Sequence, residues 1–343
     1  MQIPTDDPQA ALLFCRQLHR FLQDAVDDLS VAHSLAPELS IVIPIFNEQE
    51  NIPVLYERLV AVLCEEVFEV VFVDDGSRDD SLDILQALAQ KDSRITVVAL
   101  ARNFGHQVAI SAGLDFARGK AVIVMDADLQ DPPEVLPQFI SKWHEGHDVV
   151  YAVREKRKEH WAKRAMYKFF YRLLQRVANI EIPLDAGDFC IMDRRVVDLL
   201  VGMPERNRFV RGIRSWVGLD QVGLAYERQA RYAGEPKYTF RRLIYLALDG
   251  LISFSYLPLR MISVLGFVIS AVSLILAIVY IIQKLTVGLN PPGFATLIVS
   301  VLFFSGIQLM TIGVIGEYVG RIFDEVKHRP LYVVQRIIKG NAR

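Results

Sequence analysis

From residue 40 to residue 152, short runs of branched apolar residues alternate with longer stretches whose apolar positions recur every three or four residues. The runs at 40–45, 69–73, 95–100, 121–125 and 148–152 have the length and composition of buried strands. The stretches between them predict helices near 49–66, 79–91, 106–117 and 133–144. Strands alternating with helices imply an α/β fold on a mainly parallel, doubly wound sheet, which binds ligands at the carboxyl ends of its strands.

The pattern changes near the C-terminus. No charged side chain occurs between Arg260 and Lys284, or from Leu285 to Gly316. Each stretch exceeds the roughly 20 apolar residues that cross a bilayer as a helix. Spans are therefore expected at about 261–282 and 294–316, joined through Asn290, Pro291, Pro292 and Gly293, a turn-forming connection. Arg241, Arg242 and Arg260 precede the hairpin and Arg321, Lys327, Arg329, Arg336 and Lys339 follow it, against Lys284 alone in the connection. By the positive-inside rule both flanks, both termini and the large N-terminal domain face the cytoplasm. Gly306, Gly313, Gly316 and Gly320 include small-residue spacings that suit helix association, so a homo-oligomer is expected.

The expected organisation is an N-terminal helical extension (1–38), an α/β domain (39–238), an interfacial amphipathic helix (239–258), a transmembrane hairpin (259–320) and a cytosolic tail (321–343). The 343 residues suffice for that arrangement, and a net charge of −2 gives no general attraction to nucleic acid. Cys15, Cys64 and Cys190 are scattered, which points away from a disulfide framework or structural zinc. The first residues carry no basic region followed by a long apolar run, so a signal peptide is not expected.

Polar motifs follow three of the strands: Pro44-Ile45-Phe46-Asn47-Glu48, Asp74-Asp75-Gly76-Ser77, and Asp126-Ala127-Asp128-Leu129-Gln130. Two carboxylates one residue apart at a strand tip suit Mg²⁺ or Mn²⁺ bound to phosphate, since such ions need only one or two protein carboxylates. Taken alone, that segment also reads as a solvated turn before Pro132 and Pro133. Neither GxGxxG nor GxxxxGK[ST] occurs, which removes the main support for a dinucleotide oxidoreductase or a P-loop NTPase.

Taken in order, IVIPIFNE, VDDGS, DADLQDPP, DAGDFCIMDRR and ARYAGEPKYTF, followed by the hairpin, resemble family 2 glycosyltransferases of the GT-A fold over about residues 39–335. Within them the chain is similar to the polyisoprenyl-phosphate branch, which includes dolichol-phosphate mannose synthases and bacterial undecaprenyl-phosphate glucosyltransferases. The resemblance implies that Pro44, Phe46, Glu48 and Asp75 line a nucleoside pocket and that Asp126, Asp128 and Gln130 hold Mg²⁺ or Mn²⁺. Asp126 and Ala127 count with the nucleotide-sugar site, and Arg154, Arg231 and Lys237 with its phosphates. Asp128 and Asp188 are the catalytic candidates, Asp188 as a base, as a group that orients substrate, or as a helix or turn cap.

Arg154 to Arg176 interleaves cations with aromatics, as a helix on a membrane surface does. Lys163 and Arg164 there are candidates for the acceptor phosphate, with a solvated helix face as the alternative. The implied reaction is inverting transfer of a sugar, glucose from UDP-glucose being favoured, to a polyprenyl phosphate at the cytoplasmic face of a bacterial inner membrane. Mannose or an aminoarabinose derivative is the alternative cargo. A silent membrane scaffold would be expected to have lost Asp75, Asp126 or Asp128, and all three are present. The QxxRW motif expected of processive polysaccharide synthases is absent.

Overall fold

The computed structural model describes residues 37–154, 186–206, 208–227, 257–287 and 293–340. An eight-stranded sheet, in the order β7-β5-β6-β4-β1-β2-β3-β8, forms its centre. The expected parallel strands are β1 (Leu39–Ile45), β2 (Phe68–Asp74), β3 (Ile95–Leu100) and β4 (Ala121–Val124). β1 pairs in parallel with β2 and β4, and β2 with β3. Their apolar runs are continuous because both faces are covered. Ile41, Ile43, Val70 and Phe72 pack with helices α1 (Asn51–Val62) and α2 (Ser81–Lys91), while Val42, Val71, Val73 and Val124 pack with α3 (His106–Phe116). A side chain as fully buried as Phe72 contributes about 1.5–3 kcal/mol.

α3 lies very close to the sheet. A Cβ at Gly113 would stand 2.2 Å from Val42 Cγ1, so only glycine permits this approach, which sets where the first turn of the helix ends up. Pro133–Val135 forms a 3₁₀ turn leading into α4 (Leu136–His144), which packs Leu136 and Phe139 on the same face as α1.

The other half of the sheet is less regular. β5 (Val149–Arg154) was expected, whereas β6 (Ala186–Asp193), β7 (Gln221–Tyr226) and β8 (Val334–Lys339) were not. β6 inserts antiparallel between β4 and β5, β7 pairs in parallel with β5, and β8 runs antiparallel along β3. The sheet is therefore mixed. α5 (Arg194–Gly202) and α6 (Val210–Val217) cover the face that α3 covers, burying Val196, Val197, Leu200 and Ile213.

Two helices, α7 (Leu257–Val287) and α8 (Phe294–Val326), are long and apolar enough to cross a membrane. Most of their described side chains are exposed, among them large apolar ones such as Phe267, Leu285 and Leu309. Over the expected tail, 321–343, the described residues form the last turns of α8 and then β8, which pairs with β3. The expected helices at 1–38, 154–176 and 239–258 fall wholly or largely outside the described residues.

Candidate functional site

The motifs after β1, β2 and β4 meet at one edge of the sheet, where two loops are stitched together by their own side chains. Asn47 N–H donates to Ser77 Oγ at 3.0 Å, Arg78 N–H to Asn47 Oδ1 at 2.8 Å, and Glu48 N–H to Ser81 Oγ at 2.9 Å. Asn47 adopts a left-handed backbone (φ 55°), a conformation that asparagine tolerates better than most residues. Pro44 is buried in β1, Phe46 and Glu48 are partly exposed beyond it, and Glu48 Oε2 accepts from Asn51 Nδ2 at 2.5 Å.

Asp75 is buried, and its carboxylate accepts from the Phe104 N–H at 2.6 Å and the Gly105 N–H at 2.9 Å. Burial pushes its pKa up, and those two bonds pull it back only in part. Gly76 (φ 69°) sits against the same loop, where a Cβ would lie 2.7 Å from the Arg102 carbonyl carbon. Together Asp75 and Gly76 fix the segment 102–105 and so place His106 and Gln107 at the start of α3.

Beyond β4, Met125 N–H still donates to Val42 O, and the chain then turns through Asp126, Ala127 and Asp128. Leu129 holds a left-handed backbone (φ 58°), at a cost of roughly 1–2 kcal/mol. Its buried side chain, in the apolar cluster with Ala127, holds the turn in place. Ala127 therefore presents only its main chain to any ligand. Asp128 Oδ1 accepts from the Gln130 backbone N–H at 3.1 Å. Tyr226 on β7 donates its hydroxyl to the buried Asp131.

Asp188 lies within β6, not at a helix or turn cap; the capping role belongs to Asp193, which accepts from the Arg195 N–H at 3.0 Å. The antiparallel register pairs Val124 with Cys190, and continued by two residues it sets Asp188 opposite Asp126. Around Asp188 stand Gln107 Nε2 at 3.0 Å, Arg211 Nη2 at 3.4 Å and His106 Nε2 at 3.7 Å. Burial alone would raise the Asp188 pKa, but His106, Arg211 and Arg214 outweigh it and hold the carboxyl well below the usual range.

His106 Nε2 is also 3.4 Å from Asp126 Oδ1. Burial lowers the His106 pKa, yet Asp188, Asp126 and Asp75 carry it up to about 9. Asp126 is pushed up to about 6, first by burial and then by Asp131, Asp188 and Asp128, against the pull of His106. Asp126 Oδ1 is enclosed and has no hydrogen-bond partner among the described residues. An enclosed carboxylate oxygen among further carboxylates suits a hard divalent cation. Among the described residues no group of three or more His, Cys, Asp or Glu side chains is arranged to hold a metal alone, so phosphate and water oxygens would complete the shell.

The structure thus brings Asp75, Asp126, Asp128 and Asp188 to one edge of the sheet. Arg154 ends β5, and Lys163, Arg164, Arg231 and Lys237 lie outside the described residues. Sequence reasoning missed His106, Gln107, Arg211 and Arg214. Two arginines in the otherwise apolar run Phe209-Val-Arg-Gly-Ile-Arg-Ser-Trp-Val217 were the available signal.

Residues 40–200 match the family model described as Glycosyl transferase family 2. The chain is 46% identical over 300 residues to an uncharacterized glycosyltransferase of Synechocystis, covering 87% of this chain and 94% of the relative. It is 42% identical over 307 residues to the SfII prophage-derived bactoprenol glucosyl transferase of Shigella flexneri, covering 89% and 99%. It is also 42% identical over 305 residues to the prophage bactoprenol glucosyl transferase homolog of Escherichia coli, covering 88% and 100%. Among solved structures, glucosyl-3-phosphoglycerate synthase of Mycobacterium tuberculosis, in complex with Mn²⁺, uridine-diphosphate and phosphoglyceric acid, gives a TM-score of 0.46 at 20% identity, covering 64% and 78%. That likeness is too distant to carry a residue or ligand assignment.

Proposed function

The chain belongs to glycosyl transferase family 2, and on that premise we propose that it transfers glucose from UDP-glucose to a polyprenyl phosphate, with inversion at the anomeric carbon. The observation that carries this reading is the order of groups along the sheet edge: Asp75 after β2, the β1 loop, Asp126 and Asp128 after β4, then Asp188 on β6. Neighbouring strands are about 4.8 Å apart, so these three steps span roughly 14 Å, comparable to an extended nucleotide sugar. The nucleoside lies at the β1 and β2 end, its diphosphate beside Asp126 and Asp128, and the sugar against Asp188.

Asp126 and Asp128, helped by Gln130, would hold Mg²⁺ or Mn²⁺. Such an ion neutralises charge that collects on the departing nucleoside diphosphate. Arg154, Arg231 and Lys237 add cations toward the same phosphates. An oxygen of the lipid phosphate forms the new bond to the anomeric carbon while the bond to the diphosphate oxygen breaks, and the electron pair leaves with the diphosphate. The attacking phosphate is already ionised, its second pKa being about 6, so Asp188 need not remove a proton. Held as a carboxylate by its cationic neighbours, Asp188 orients the sugar hydroxyls and the acceptor.

The bactoprenol glucosyl transferase names of the relatives support a polyprenyl phosphate acceptor and glucose as the cargo. α7 and α8, long and apolar enough to cross a bilayer, support a reaction at a membrane. The chain leaves the sheet at β7 and returns to it at β8, which supports a hairpin with both ends on one side, the cytoplasmic side by the charge rule. Assembly of copies through the glycine-bearing face of α8 belongs to the same proposal.

The test is product analysis. Purified protein with UDP-glucose and polyprenyl phosphate is expected to yield a hexosyl phospholipid by mass spectrometry, β-linked by NMR. An α-linked product contradicts single displacement, and product from another nucleotide sugar alone overturns the choice of glucose.

A further inference from the structure

Among the described residues the Arg211 guanidinium holds little: it lies 5.8 Å from the centre of the Phe209 ring and meets a single carboxylate. Its one described carboxylate partner is Asp188 at 3.4 Å, longer than the roughly 2.7–2.9 Å of a well-formed charge-assisted bond. Its Nε is buried with no acceptor among the described residues. A guanidinium offers five N–H donors in a fixed planar fork that matches phosphate oxygens. The neighbouring Arg214 also has buried Nε and Nη2 without partners, but it is 1% exposed and closed off over the Tyr151 ring. Arg211 keeps 21% of its side chain exposed, so a ligand can reach it.

Its position indicates which ligand. α6 packs on β6, α3 and α5, at the Asp188 end of the row in which Asp75, Asp126 and Asp188 follow one another. The segment leading into α6 is fastened to the cytosolic end of α8: Arg206 N–H donates to Glu325 Oε1 at 2.9 Å, and its guanidinium to the Asp324 carbonyl at 3.1 Å and to the Arg329 carbonyl. Arg211 stands five positions along the chain from Arg206, a reach of at most about 18 Å even when fully extended. Arg211 therefore stands between the end of a membrane helix and the carboxylate at the sugar end of the site. Gln107 secures this placement, donating to Asp188 Oδ2 at 3.0 Å and accepting from the Val210 N–H at 2.9 Å.

We propose that Arg211 receives the phosphate of the lipid acceptor, exchanging its loose contact with Asp188 for phosphate oxygens as the headgroup enters from the membrane side. The inference rests on the acceptor being a polyprenyl phosphate and adds a residue to its binding. Displaced from Asp188, the guanidinium holds the attacking oxygen next to the carboxylate that orients the sugar.

The test uses full-length protein in detergent, titrated separately with a short-chain prenyl phosphate and with UDP, for wild type, Arg211→Ala and Arg211→Lys. Arg211→Ala is expected to weaken prenyl phosphate binding tenfold or more and to leave UDP binding within twofold, with Arg211→Lys in between. Retained UDP binding also shows that the variants fold. Unchanged prenyl phosphate binding overturns the inference. So does a matching loss of UDP affinity, which would assign the cation to the donor diphosphate. Failure of the wild type to bind prenyl phosphate would instead sink the acceptor assignment itself, and the inference with it.

Discussion

Replacing Asp75 separates two roles that the sequence merges. By resemblance this carboxylate belongs to a nucleoside pocket, yet both of its oxygens are bonded to the Phe104 and Gly105 N–H groups. Asp75→Ala leaves both part-buried donors without their acceptor, each costing about 1–2 kcal/mol. Removing a buried charge that burial already disfavours offsets part of that loss. A net destabilisation of about 2–3 kcal/mol is therefore expected, which lowers the melting temperature of a domain near 200 residues by about 4–12 °C. Asp75→Asn keeps one acceptor oxygen and should fall between the two. The assay is thermal unfolding of full-length protein followed by tryptophan fluorescence, with UDP affinity measured in parallel at a temperature where all three proteins are folded. If Asp75→Ala melts with wild type while UDP binding is lost, the carboxylate serves the ligand alone and the loop-fastening argument is refuted.

Three further outcomes follow from the same geometry. Gly76→Ala forces a left-handed alanine against the Arg102 backbone and should destabilise by about 2 kcal/mol or more, read by the same melting experiment. Gln107→Ala should lower kcat at least tenfold while leaving the KM for nucleotide sugar near wild type, because Gln107 touches Asp188 and α6 and no part of the expected nucleotide pocket; a shift confined to the donor KM would contradict this. Metal affinity should weaken as pH falls through about 6, since a proton and a cation compete for the raised Asp126 carboxyl, and Mn²⁺ binding followed by electron paramagnetic resonance at pH 5 and pH 7 checks the sign.

The parallel half of the fold was legible because its strands are buried on both faces and read as unbroken apolar runs, as in Ile41-Val42-Ile43 and Val70-Val71-Phe72-Val73. The antiparallel half was not. β6 carries Gly187 and Asp188 in its first half, β7 is interrupted by Gly223, and β8 sets only two isoleucines between Arg336 and Lys339 at an edge, so none presents a clean run. The site divided along the same line. Asp75, Asp126 and Asp128 sit in short motifs right after legible strands, whereas His106, Gln107 and Arg211 reach Asp188 only because β6 inserts beside β4, across 82, 81 and 23 residues of chain respectively. The return of β8 to β3 likewise needs tertiary pairing that a tail of the form VQRIIK does not announce.

The central claim is best tested by transfer of radiolabelled glucose from UDP-glucose to polyprenyl phosphate in detergent, comparing wild type with Asp128→Ala, each with Mg²⁺ or Mn²⁺ and with a chelator. The account predicts lipid-extractable label that requires both the cation and Asp128. Label that persists at the wild-type rate in the chelator or in Asp128→Ala would contradict the metal-assisted site, and absence of label with every nucleotide sugar would contradict the transfer itself.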